Sequence, residues 1–361
     1  MGKRLLSLAM ICGFLCTGAA CNNYSIPDGN IQTESIPDEN IQNESILPQN
    51  AAEDPFAQSE EDIALGAIGH GEANPARAED GIVLPYEYQG GEFTLDYQFS
   101  SEGKLDNIGF LLFLDGKPQA YKIHDTDAKS EYLHVFRTSE KHKENFSFVF
   151  TPNTGKKGDT LNLTVISITN PDFRPDMKET SSYGWYQKHL ERVLKLHFNE
   201  DAPDGGMYEE RDSVFRDVSV REEKVTTSYI EHELVKNGWD GVTLDNLDDS
   251  VYSTISFDGE LVYDNINLTG RDTLTVRYTI CGTAGARYGV SFFLDHKPVP
   301  FDGVTSWNVT LSKGNVWTLE AVLDARKFQG FHTFYVTAVA AEGDCTSHKT
   351  ESILLYTLNQ Y

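Results

Sequence analysis

Two ten-residue segments set the terms for this chain. Residues 109–118 read GFLLFLDGKP and residues 289–298 read GVSFFLDHKP, an offset of 180. Their flanks repeat as well. Phe93, Leu95 and Tyr97 alternate with polar residues before the first copy, as Leu274, Val276 and Tyr278 do before the second. Phe146, Phe148 and Phe150, then Leu161, Leu163 and Val165, follow the first; Trp317 and Leu319, then Phe334, Val336 and Ala338, follow the second. A period of two puts each set of apolar side chains on one face of an extended strand. A block that recurs with its flanks means two copies of one domain. Short strands between turn signals, with few helical patterns, predict an all-β chain: two tandem antiparallel β-sandwiches, residues 80–200 and 250–361, the second an internal duplicate of the first.

Within the motif, Asp115-Gly116 suits the positive φ of a tight hairpin turn. Pro118 and Pro298 suit a short edge strand, where a missing N–H costs no ladder bond. His296 stands in the second copy where Gly116 stands in the first, which predicts a wider turn there. Residues 201–249 read as an acidic connector, with a strand at Val214, Val218 and Val220 and a short helix over Tyr229 to Lys236, ended by Gly238-Trp239-Asp240-Gly241. On strand pattern and duplication the arrangement resembles the immunoglobulin-like modules of bacterial surface proteins.

The first residues give an address. Lys3 and Arg4 precede an apolar run from Leu5 to Leu15, then Thr17-Gly18-Ala19-Ala20-Cys21. A charged start, a short apolar middle and small residues before the cut make 1–21 a secretory signal. The run is shorter than the roughly 20 residues that span a bilayer. Small residues directly before a cysteine resemble the lipobox of bacterial lipoproteins, with Ala19 and Ala20 at the small positions and Gly18 in place of the usual Leu. That resemblance implies diacylglycerol on Cys21, a membrane held through a lipid anchor, and an extracellular location on a bacterium, Gram-positive by this reading; the alternative is cleavage after Ala20 and free secretion. Residues 22–79 read as a disordered, low-complexity tether. SIPDGNIQTE (25–34) recurs as SIPDENIQNE (35–44) and as a degraded SILPQN (45–50), too polar to bury a core.

Composition narrows the partners. With 30 Lys and Arg against 55 Asp and Glu, the net charge is −25, or −27 once Lys3 and Arg4 leave with the signal. Such a chain repels nucleic acid, so no nucleic-acid partner is expected. Cys281 and Cys345 end or follow strands of the second copy that run the same way; an exported protein permits their oxidation, and two thiols is the alternative reading. No GxxxxGK[ST] or GxSxG occurs, and His232-Glu233 lacks the second histidine of HExxH. Asp125-Thr126-Asp127 and Asp245 to Asp249 read as solvated loops rather than calcium sites. No catalytic residue, metal site or cofactor is assigned, and the chain is read as a non-enzyme. One cluster stands out: Tyr183, Trp185 and Tyr186 beside the Pro-rich stretch 170–175, rings that stack on sugars or anchor a protein. The expected function is a membrane-anchored module that displays two sandwiches for binding or spacing at the cell surface. The alternatives are a carbohydrate-binding protein using Trp185 and Tyr186, with either ring's burial arguing against it, and, further off, a glycan-acting enzyme.

Overall fold

The computed structural model describes residues 67–124, 129–175, 183–203, 213–343 and 345–358. Cys21, residues 22–66 and Asp125-Thr126-Asp127 therefore lie outside the described residues.

The first sandwich is built from β1 (Ala67–Glu72), β2 (Tyr86–Tyr88), β3 (Phe93–Glu102), β4 (Asn107–Leu114), β5 (Lys117–Gln119), β6 (Lys122–Ile123), β7 (Leu133–Arg137), β8 (Lys141–Phe150), β9 (Thr160–Thr169) and β10 (His189–Phe198). One sheet runs β1-β3-β8-β6; the other runs β2-β10-β9-β4-β5, with β7 also on β4. The second sandwich contains β11 (Phe215–Lys224), β12 (Val251–Phe257), β13 (Asn265–Asn267), β14 (Thr273–Gly282), β15 (Arg287–Leu294), β16 (Lys297–Pro298), β17 (Trp307–Thr310), β18 (Asn315–Asp324), β19 (Phe331–Ala340), β20 (His348–Lys349) and β21 (Ile353–Tyr356). Its sheets run β11-β18-β14-β12 and β13-β21-β19-β15-β16, with β17 on β15 and β20 on β19. The orders match for β1–β5 and β7–β10 against β12–β19 and β21, including the parallel pairs β2–β10 and β13–β21 among antiparallel neighbours; β6 and β11 take the same edge from different places in the chain, and β20 has no counterpart among the described residues. These are two immunoglobulin-like β-sandwiches.

Alternation explains the outer sheets. In β3, Phe93, Leu95, Tyr97 and Phe99 are buried, while Thr94, Asp96, Ser100 and Glu102 face water. The inner strands behave differently. All of Ile108 to Leu114 in β4 are buried. Ile108, Phe110, Leu112 and Leu114 fill their own sandwich. Leu111 and Phe113 point the other way and join Ile166, Ile168, Phe293, Tyr335 and Val339 in a cluster between the sandwiches. A continuous apolar run marks a strand covered on both faces. Burial of each such side chain stabilises by about 1.5–3 kcal/mol. The two sandwiches thus pack back to back through their larger sheets, inside one compact unit, Glu60–Tyr361.

The duplicated motif is where the copies touch. Gly116 lies against Gly289: a Cβ on Gly116 would stand 2.7 Å from the Gly289 nitrogen and 2.8 Å from the Val339 oxygen. Asn162 Nδ2 donates to the Ala340 oxygen across the same junction. The turns of the motif are alike. Leu114 pairs Lys117 and Leu294 pairs Lys297, so His296 does not widen the second turn. It adopts φ 61 instead, following Asp295 at φ 49.

Two boundaries move. β1 falls inside the span read as tether, because Ile68, His70 and Glu72 alternate inward between glycines that mask the pattern. The span 201–249 is not a free connector. Its strand, β11, is the outer strand of the second sandwich, paired with β18 from Phe215 to Lys224. A helical stretch follows over residues 227–237, ending at Gly238 (φ 84). Among the described residues no helix is long and apolar enough to cross a membrane.

Candidate functional site

The two outer sheets are equivalent by topology and opposite in chemistry. In the second sandwich, Tyr252, Cys281 and Val316 form a cross-strand row on the outward face. An apolar row needs a cover, and Val225, Ile230, Leu234, Val242 and Leu247 supply one. Trp239 Nε1 donates to the Ser253 oxygen, and the Tyr229 and Thr279 hydroxyls meet at 2.7 Å. The matching row of the first sandwich is Gly69, Ser100 and Lys143. Beside it run Gly71-Gln98-Asn145 and Ala67-Glu102-Lys141. Nothing among the described residues covers this face.

The face has shape as well as polarity. Ala67, Gly69 and Gly71 project outward from β1 with almost no side chain, so the strand is a flat strip. A Cβ on Gly71 would meet nothing within 4 Å. The strip steps down from the longer side chains of β3 and β8. Depressions of about 490 and 480 Å³ result, one lined by Gly69, Ser100 and Lys143, the other by Asn74, Gln98 and Asn145. Ser147 Oγ donates to Asp96 Oδ1 at 2.7 Å in the wall of the second. Beneath, β1 is pinned. Glu72 accepts from Arg192 Nε at 3.0 Å and a terminal nitrogen at 2.5 Å. Burial opposes its charge, yet the Arg192 bonds hold its carboxyl below the usual range. His70 Nε2 donates to the Leu190 oxygen (3.2 Å) and Nδ1 accepts from the Tyr97 hydroxyl (2.7 Å). Burial pushes this imidazole down to about 4.

A second group of polar residues lies between the sandwiches, where it locks rather than binds. His296 meets the Tyr335 hydroxyl at 3.2 Å and the Pro171 oxygen at 3.1 Å. Lys349 donates to Ser352 Oγ (2.9 Å) and the Thr350 oxygen (3.1 Å), with its Nζ 4.4 Å from the Tyr335 ring centre. Burial pushes the Lys349 ammonium down to about 7 and His296 down to about 4. Glu191 accepts from the nitrogen and hydroxyl of Ser347. Nothing in the sequence marks His296 or Lys349 except the departure of the first from the glycine of its copy.

The residues singled out in the sequence separate. Tyr183 is fully buried and leaves the aromatic site: its hydroxyl meets Thr333 Oγ1 and accepts from Gln187 Nε2, tying the sandwiches together. Tyr186 is 45 % exposed and stacks on Phe173 at 4.0 Å between centres, 14° between planes. Trp185 lies in the same short helical turn, Tyr183–Tyr186. Cys281 and Cys345 are not joined. They pack in different clusters, Cys281 on the covered outer face and Cys345 against the interior of the second sandwich, because Cys281 points away from that interior. Burial pushes the Cys281 thiol up to about 12. Asp248 accepts from the Gly314 nitrogen, a turn contact. No group among the described residues could hold a metal ion.

No family model matches the chain, and no curated protein does. Among solved structures it is similar to the Salmonella enterica SafA pilin in complex with the SafB chaperone, at 10 % identity and TM-score 0.22, covering 80 % of this chain and 97 % of that one. The N-terminal immunoglobulin module of the Drosophila receptor protein tyrosine phosphatase DLAR aligns at 8 % and 0.20, covering 81 % and 98 %. A serine-rich repeat adhesion glycoprotein of Streptococcus agalactiae aligns at 10 % and 0.16, covering 80 % and 94 %. At these scores the likeness carries no argument about what the chain binds. The fold is read from its own strand order.

Proposed function

We propose that this protein is a non-enzymatic binding module of the bacterial cell surface, anchored through a lipid on Cys21, with the outer face of the β1-β3-β8 sheet as its binding surface. One observation carries the reading: of two equivalent outer faces, the apolar one is covered by the chain itself and the polar one is bare among the described residues. A bare face with a side-chain-free strip between Ser, Gln, Asn and Lys offers hydrogen-bonding groups at fixed spacing to an extended polar ligand. The back-to-back packing gives that face a rigid mount.

Two measurements test this. Intact mass of protein made in a Gram-positive host is expected to show diacylglycerol on the chain, lost in Cys21→Ala. An unmodified chain beginning at Cys21 would remove the anchor. The chain from residue 22 is then passed over immobilised wall polysaccharides and surface glycoproteins. Retention by one of them, lost in Gly71→Trp, supports the face. No retention, or retention unchanged in Gly71→Trp, overturns it. The aromatic alternative, reduced to Trp185 and Tyr186, predicts instead that Tyr186→Ala abolishes retention.

A further inference from the structure

The two copies differ at one more place. In the second sandwich, β18 is paired along its whole length by β11, a ten-residue strand. In the first, the equivalent strand β8 is also ten residues, but its outer neighbour β6 has two. Lys122 and Ile123 pair Val149 and Phe148. They occupy the places that Asp217 and Val218 hold opposite Val322 and Ala321. β6 thus fills the start of the same place in the sheet, although it comes mid-domain, between β5 and β7, where β11 precedes β12. It makes one more bond, from the His124 nitrogen to the Ser147 oxygen, and His124 then turns away at φ 58.

Antiparallel pairing alternates the direction of backbone groups along a strand. Since Ser147 faces β6, Asn145, Lys143 and Lys141 face the same way. Ser139 Oγ takes the Lys141 oxygen. The N–H and C=O of Asn145 and Lys143 have no backbone partner among the described residues. Their counterparts, Thr318 and Val316, pair Arg221 and Glu223. The edge is also charged against the grain of the molecule. In a chain of 55 acids and 30 bases, Lys141 and Lys143 are exposed, side by side on one face; Glu102 stands across from Lys141 in the register, and among the described residues neither lysine forms an ion pair within 4 Å.

We infer that the edge of β8 at Lys143 and Asn145, flanked by Lys141, receives an extended acidic strand from a partner protein, paired antiparallel as β11 pairs β18. Strand addition to a sheet edge draws affinity from main-chain bonds and selectivity from alternate side chains. The register of β11 sets the pattern. A residue in the slot of Val220 faces Phe146 and is apolar. The residues three and five places on face Lys143 and Lys141 and are acidic. A second copy of this β8 fits poorly, because antiparallel self-pairing sets lysine beside lysine on one face.

The probe is a labelled synthetic peptide copying Phe215–Lys224, extended by a glutamate in the place of Val225. It is titrated by anisotropy against the chain from residue 22. Saturable binding is expected, weakened about tenfold by Lys141→Glu with Lys143→Glu. Hydrogen exchange is expected to slow at the Lys143 and Asn145 amides when the peptide is bound. Gly71→Trp is expected to leave this binding intact, which separates the edge from the face proposed above. No binding at about 1 mM peptide, binding indifferent to the charge reversal, or protection at β11 rather than β8 would each overturn the inference.

Discussion

His296 holds a left-handed conformation that its counterpart Gly116 adopts without strain. What holds it there is tertiary. The imidazole donates to Pro171 of the other sandwich and accepts from Tyr335 of its own. His296→Gly relieves the backbone and orphans both partners. Urea unfolding is expected to show a net loss of about 1–3 kcal/mol, the cost of stranding buried polar groups. The sign of the pH effect also follows. The native imidazole titrates near 4 and the unfolded one near 6.5, so between those values the unfolded chain binds a proton that the native chain excludes. Stability conferred by the neutral ring is full above 6.5 and lost as pH falls toward 4. The variant should lose about 1.4 kcal/mol per pH unit of slope in that window. An unchanged slope would mean His296 is not held neutral. In the sequence this residue was visible only as a mismatch between repeats, and a mismatch predicts a turn before it predicts a lock.

At the scale of elements, the strands of the repeat were legible because alternation is a local property. The inner strands were legible as strands but not in their role: LLF in β4 and FF in β15 are apolar on both faces because a second sheet lies against each. The glycines of the motif have the same origin. Gly116→Ala places a methyl on Gly289 at positive φ, whereas Gly343 has positive φ and open space around it. Gly343→Ala is expected to cost about 1 kcal/mol by thermal melting. Gly116→Ala is expected to cost about twice that or more, since overpacking adds a further 1–3 kcal/mol. Equal costs would show that the sandwiches do not meet at this point. The outer faces followed a rule the sequence states only in retrospect. Tyr252, Cys281 and Val316 against Gly69, Ser100 and Lys143 is a contrast that exists once the copies are in register.

The whole molecule between Glu60 and Tyr361 is one compact unit, its sandwiches sharing an apolar cluster and buried bonds from Tyr183, Glu191 and His296. Denaturation of the chain from residue 22 is therefore expected to give one cooperative transition by both fluorescence and circular dichroism. Two separated transitions would show that the junction contributes little. His70, His296 and His348 are all pushed down to about 4 by burial, so the midpoint should fall as pH drops from 6.5 toward 4. Sequence alone determined the strands, the duplication and the all-β class, because side-chain alternation and turn chemistry act within a few residues. It also carried the expectation of a lipid address at Cys21, which belongs to a local motif. It did not carry β1, hidden by glycines, or the place of β11. It did not carry the two thiols on different faces, the burial of Tyr183, or the packing of one copy on the other. Those depend on which face of each strand finds another surface, and that is settled only when residues some 180 positions apart in the chain compete for the same apolar contact.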